Sequence, residues 1–391
     1  MPSLSLLFVR FLKLGATAYG GPAMIGQIKQ SVVNEYGWIK EQEFLQGMAL
    51  CQLIPGATNV QMVTYIGYRL RGIWGALASA IAFTLPAFIA IVVLSTIYFR
   101  MQTLWFIQAL FKGLGAIVVA IILNACINLG WSILKDWQVI LIAVLSFFGF
   151  FFRLNILLIF ILAGVTALLL YPKQRKVETE PSSEGLDQIT KKSKETFFLG
   201  LLAVLICVGL LLCYLIDPLI TYLSLTLLKI GALAFGGGFT MIPLIQYEVV
   251  DRFHWLSTKE FLDGIALGQV TPGPIMITAT FIGYKLFGLL GALMATIGIF
   301  SPSFFILTLL IPYYDRLRGV EIVRTVERGI LGSFIGMLGL VLYNFGRITL
   351  VDIPSIVMAG AAFFALIKKV GLPYILIFGG ILSVLFFGLL K

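Results

Sequence analysis

Along the chain, apolar runs of about 18 residues or more alternate with short polar gaps. Clear runs cover 73–98, 104–128, 154–171, 196–215, 288–312, 329–345 and 372–390. About 20 residues of helix cross a hydrocarbon core, so each run predicts a membrane-spanning helix. The two-residue alternation of an outer-membrane barrel is not the pattern here. An all-α polytopic membrane protein is expected. The first apolar run starts almost at Met1 and carries Arg10 and Lys13 inside it. With no charged stretch ahead of it, it reads as a retained first helix rather than a signal peptide.

The pattern also repeats. L-K-L-G-A-T-A-Y-G-G at 12–21 matches L-K-I-G-A-L-A-F-G-G at 228–237 in seven of ten positions. E-F-L-Q-G-M-A-L-C-Q-L-I-P-G at 43–56 matches E-F-L-D-G-I-A-L-G-Q-V-T-P-G at 260–273 in nine of fourteen. I-G-Y-R-L-R-G-I-W-G-A-L at 66–77 matches I-G-Y-K-L-F-G-L-L-G-A-L at 282–293 in eight of twelve. Chance does not produce such a series, and internal repeats point to secondary-transporter architecture. The expected organisation is a first repeat over 1–171, a polar charged linker over 172–195, a linking helix over 196–216 and a second repeat over 217–391.

Six crossings per half plus the linking helix give thirteen. An even number per half, followed by one more helix, turns the second half upside down. Lys and Arg support this orientation, with seventeen on the linker side against eight on the other. If 43–70 is instead a re-entrant hairpin, the halves become parallel, and the better count is sixteen against nine.

Composition sharpens the class. Sixty per cent of the 391 residues are hydrophobic, 12% are charged, and mean hydropathy is +1.02. One soluble core could not hide that much apolar surface. The net charge of +10 sits mostly in gaps between apolar runs, so the partner is the lipid bilayer and not nucleic acid. The four cysteines form no CxxC pair, and His254 is the single histidine. There is no P-loop, HExxH or GxSxG, so neither a cofactor nor ATP-driven pumping is indicated.

Three constellations are candidates for chemistry. Gly20, Gly21 and Pro22 recur as Gly236, Gly237 and Gly238, where backbone N–H groups could face an anion. Gln52, Pro55, Gly56 and Asn59 match a second break at Gln269, Pro272, Gly273 and Pro274. Proline-glycine within an apolar run breaks a membrane helix, and the freed backbone must be buried in protein or line a cavity. Lys13 and Lys229 share the context L-K-[LI]-G-A, and a lysine inside an apolar helix is a functional candidate by default, with snorkelling as the plainer account. Glu43 and Glu260 read as helix-dipole partners, with proton coupling as the sharper alternative.

At these motifs the sequence resembles the two-domain chromate transporter family. The resemblance rests on F-L-K-L-G-A-T-A-Y-G-G-P at 11–22, the break at 55–56, L-K-I-G-A-L-A-F-G-G-G-F-T-M-I-P-L at 228–244 and V-T-P-G-P at 270–274. It covers the chain except the linker. It implies an inner-membrane protein of two oppositely oriented halves that exports chromate, with sulfate as the competing analogue. The first half reads P-G-A-T-N at 55–59 where the second keeps P-G-P, so an asymmetric site is an open alternative. Transport of a different anion, and membrane-embedded lipid chemistry, are the competing functions. The oligomeric state is not readable from the sequence.

Overall fold

The computed structural model describes residues 2–19, 21–171, 188–235, 237–311 and 321–389, with backbone alone at 21–23, 188–196, 321, 323 and 389. All regular structure among the described residues is helical. The first half comprises α1 (Leu4–Thr17), α2 (Gly21–Lys29), α3 (Glu41–Leu53), α4 (Thr58–Met101), α5 (Trp105–Ile133), α6 (Trp137–Phe151) and α7 (Ile156–Leu170). The linking helix is α8 (Gln188–Ile216). The second half repeats the order with α9 (Pro218–Leu233), α10 (Met241–Ile245), α11 (Thr258–Val270), α12 (Thr278–Leu310), α13 (Glu321–Thr349), α14 (Ile353–Ile367) and α15 (Leu372–Val384). Even irregularities repeat. The helices after the glycine turns widen into π-helix at Gln30–Glu35 and at Gln246–Arg252.

Each half begins with two hairpins that turn back inside the protein. In the first, the α1–α2 turn brings Arg10 to Tyr36 (3.1 Å) and Phe11 to Trp38. In the second, α3 descends to the Pro55–Gly56 break and α4 climbs back. Glu43 therefore meets Arg69, and Gly47 lies against the Tyr65 ring. Each arm turns back at the break and so runs only part of the way across the molecule. The chain then reverses at Arg71–Gly72, where Gly67 and Gly75 touch backbone to backbone, and only the long arm 73–101 runs from end to end. The second half reverses likewise at Phe287–Gly288.

Two ends of the molecule follow from these contacts. Pro2, Arg71, Glu43 and Arg69 lie at the first, together with the Asp136–Tyr171 and Trp74–Phe198 contacts that place the start of α6, the end of α7 and α8 there. At the second end, Tyr98 reaches Asp263, Thr96 reaches Tyr284 and Lys112 pairs with Asp352. The second half's hairpins thus enter from the end opposite to the first half's. The repeats are inverted.

The expected thirteen crossings are corrected: among the described helices nine run from one end toward the other, α4, α5, α6, α7, the linking α8, α12, α13, α14 and α15, and of these α4, α5, α8, α12 and α13 are long and apolar enough to cross a membrane. The segments 4–20, 43–70, 219–236 and 260–286 do not cross. Two segments per half turn back rather than one, so each half still makes an even number of crossings. The inversion survives for that reason.

Candidate functional site

The hairpin tips meet halfway along the long arms. Ala87, midway between Ile73 and Met101, sits where a Cβ on Gly273 would fall, 2.7 Å away. Ser303, its counterpart on α12, lies at Gly56, and its hydroxyl accepts from the Ala57 N–H at 2.8 Å. Two backbone bonds cross between the halves. Gly56 N–H donates to the Ala234 carbonyl (2.6 Å) and Gly273 N–H donates to the Ala18 carbonyl (2.8 Å). Each proline-glycine tip is therefore tied to the first hairpin of the other half. Mid-membrane backbone has no water to bond, so these bonds satisfy groups that would otherwise cost several kcal/mol each. Gly56 and Gly273 have φ of +135° and +108°, a conformation that side-chain-bearing residues rarely adopt.

Four helical segments start at this level: α2 at Gly21, α4 at Thr58, the short 3₁₀ turn Gly238–Thr240 ahead of α10, and the turn Ile275–Ile277 ahead of α12. Their positive dipole ends favour an anion. Four helix C-terminal ends lie at the same level, those of α1, α3, α9 and α11, and the Ala18 and Ala234 carbonyls at two of them accept the cross-half bonds.

The expected site residues divide. Gly20 and Gly236 lie outside the described residues. Gly21 opens α2, with Pro22 in its first turn. Gly237 has open space around it, and Gly238 packs on Ile275 beside the second break. Pro55 accepts from the buried Gln61 amide (2.7 Å), and Asn59 stands half-buried in the first turn of α4. Pro272 and Pro274 flank Gly273, and Pro274 caps the Ile275 turn.

The paired glutamines and lysines do not behave as pairs. Gln52 is exposed, whereas Gln269 is buried and its Nε2 has no hydrogen-bond partner among the described residues. Lys13 is exposed on α1 and enters no ion pair among the described residues. Lys229 is bonded to Glu248 at 2.5 Å, and Arg252 holds the other oxygen of that carboxylate at 2.8 Å. Glu248 is 2% exposed, a buried charge that needs such partners. The position aligned with it in the first half is Val32. Lys229 is thereby neutralised while Lys13 is not.

Sequence reasoning missed Ser303, Glu248 and the Ala18 and Ala234 carbonyls. The S-P-S triplet at 301–303 inside an apolar helix was a usable signal for the first. Nothing local marks the others.

Broken helices meeting at mid-span between inverted repeats define an integral membrane transporter architecture, multi-pass in the cell membrane. The sequence profile of the chromate transporter family matches residues 5–168 and 221–384. The chain belongs to that family. It is 34% identical over 384 residues to an uncharacterized transporter of Methanocaldococcus jannaschii, covering 98% of this chain and 94% of that one. It is 31% identical to a probable chromate transport protein of Synechococcus elongatus (98% and 96% covered). It is 29% identical to a chromate transport protein of Cupriavidus metallidurans (91% and 86%). No solved structure matches.

Proposed function

We propose that the protein exports a small tetrahedral oxyanion, chromate, with sulfate as its competing analogue. The observation that carries this reading is the meeting of two tied proline-glycine tips and four helix starts at mid-membrane depth. Backbone N–H groups near Gly21, Thr58, Gly238 and Ile275 would bind the oxygens, with donors from Asn59 and the buried amide of Gln269. Lys13 would supply the unneutralised positive charge that a dianion needs in a low-dielectric site. Lys229 would position Glu248 rather than touch the anion. The chromate transport proteins among the relatives support the choice of substrate.

The first end carries Arg69, Arg71, Lys135, Lys368 and Lys369, and the linker joins helices there with six further basic residues. The positive-inside rule makes it cytoplasmic. An inside-negative potential then drives a dianion outward, at about 2.3 kcal/mol per charge per 100 mV. Chromate uptake into everted vesicles, with an imposed potential and sulfate as competitor, tests the reading. Potential-dependent uptake blocked by sulfate is expected. Uptake no greater than in empty vesicles would remove chromate as the substrate.

A further inference from the structure

Away from the tips, two adjoining cavities of about 110 and 460 Å³ lie at the second end, between α5, α11 and the last turns of the second half. Gln108, Phe111, Lys259 and Asp263 line both, and Lys112 lines the larger. Asp263 is 4% exposed, one and a half turns into α11. Its only hydrogen bond among the described residues is from Tyr98, whose hydroxyl reaches across from α4 of the other half and donates to Oδ2 at 2.6 Å. This leaves Oδ1 for the cavity.

Apart from Lys259, one turn earlier on the same helix and close enough to act on the carboxylate electrostatically, the charges around Asp263 are committed elsewhere. On its own helix, Glu260 pairs with Lys285 of α12 and closes the Ser257 capping box. On α5, Lys112 pairs with Asp352. On α13, Arg347 lies over the Tyr343 ring. Lys259 lines the cavity without an ion pair among the described residues. A buried carboxylate with one hydroxyl partner and no ion pair among the described residues is costly inside a membrane and marks function. No counterpart exists in the first half, where the aligned residue is the exposed Gln46.

We infer that Asp263 is the proton-binding site coupled to the anion. The inference rests on the oxyanion reading above. Lys259, which lines the larger cavity outside the ion pairs of the described residues, gives an anion a partner there, and a dianion entering it confronts the Asp263 carboxylate. Like charges at close range raise the carboxylate's affinity for a proton. A proton from cavity water adds to Oδ1 as the anion arrives and returns to water as it departs. Only that O–H bond forms and breaks. Anion and proton binding are thus linked, and the linkage is reciprocal.

The test is calorimetric titration of the purified full-length protein with chromate in two buffers of different ionisation enthalpy, at a pH above the chromate ion's own protonation. The wild-type protein should take up about one proton per chromate bound. Asp263→Asn should still bind chromate measurably but take up none. Chromate binding without proton uptake by the wild type, or undiminished uptake by Asp263→Asn, overturns the inference and leaves the oxyanion reading intact. No chromate binding by the wild type fails that reading, and this inference with it. If Asp263→Asn does not fold, Tyr98→Phe decides. Loss of a hydroxyl donor to a carboxylate should move the pH midpoint of proton uptake upward by about one unit. An unmoved midpoint assigns Asp263 a structural role only.

Discussion

The two halves share a backbone but not a chemistry. Both build the same hairpins, the same π-helical widening and the same reversal before the long arm, and each ties its tip to the other half. The side chains at equivalent places have diverged. Lys229 is bound by a buried glutamate where Lys13 has no ion pair among the described residues. Gln269 is buried where Gln52 is exposed, Ser303 stands opposite one tip and Ala87 opposite the other, and Asp263 answers to Gln46. Recurrence in a repeat therefore identifies what the scaffold needs. It does not show that both copies do the same work.

The lysines offer the largest test of that contrast. Lys13→Ala should abolish chromate uptake in everted vesicles while the protein still inserts and purifies as a single species. Lys229→Ala should act on folding, because Glu248 keeps only Arg252. Loss of one partner of a fully buried pair costs about 3–5 kcal/mol, and less here because Lys229 is 32% exposed, visible as a lower yield of folded protein. Equal transport losses with unimpaired folding in both variants would break the comparison.

The tip glycines come next. Gly56→Ala and Gly273→Ala each place a methyl at positive φ, a strain of about 1–3 kcal/mol, so the yield of folded protein, and with it uptake per membrane, should fall. The second should suffer more. Its methyl meets the Ala87 Cβ, fixed in a helix, whereas at Gly56 it meets the ends of Ser303 and Gln61, which can rotate away. Ala87→Gly should partly rescue Gly273→Ala, and failure to rescue would show that backbone strain outweighs the clash.

The helix starts give a smaller effect. α11 opens with a Ser257–Glu260 capping box, but α3 opens at Lys40 with no side-chain cap. Ser257→Ala should lower stability by about 1 kcal/mol and Lys40→Ser should raise it by a similar amount, read by thermal unfolding in detergent. The smallest effect belongs to the first half's Lys29–Glu41 pair. The hydrogen bond and then the charge of Lys29 hold the Glu41 carboxyl below its ordinary range. A lowered folded value means that the contribution is present above the unfolded value and fades as pH falls through the folded one. Glu41→Gln should therefore lower the melting temperature slightly at neutral pH and leave it unchanged in acid, because the pair is solvent-exposed. A shift that persists in acid would point to a cause other than this pair.

Much of the architecture was legible before any coordinates. Apolar runs marked the long arms and α5, and the motif pairs at 12–21 and 228–237 located the duplication. The breaks at Pro55–Gly56 and Pro272–Gly273 lie where a helix former cannot continue. Re-entrance of 43–70 was legible only as an alternative to crossing, because a proline-glycine break fits both and the turning back depends on what lies opposite. The expected inversion held although its count of thirteen did not, since parity is preserved when segments are removed in pairs. Lys229 and Lys13 looked equivalent because their local context is nearly identical, and the residue that separates them, Glu248, lies 19 positions further along.

What the sequence determined by itself is an all-helical membrane protein with two copies of one unit and a broken helix in each. Those properties depend on hydrophobic runs and backbone breaks, which act over a few residues. Tertiary structure alone decided that the breaks meet at mid-span, that Gly56 and Gly273 bond to the opposite half, and which lysine is held by a buried glutamate. It also decided that Tyr98 and Asp263, 165 residues apart, face one cavity. These depend on partners brought together through space, and no stretch of chain shorter than the whole fold records them.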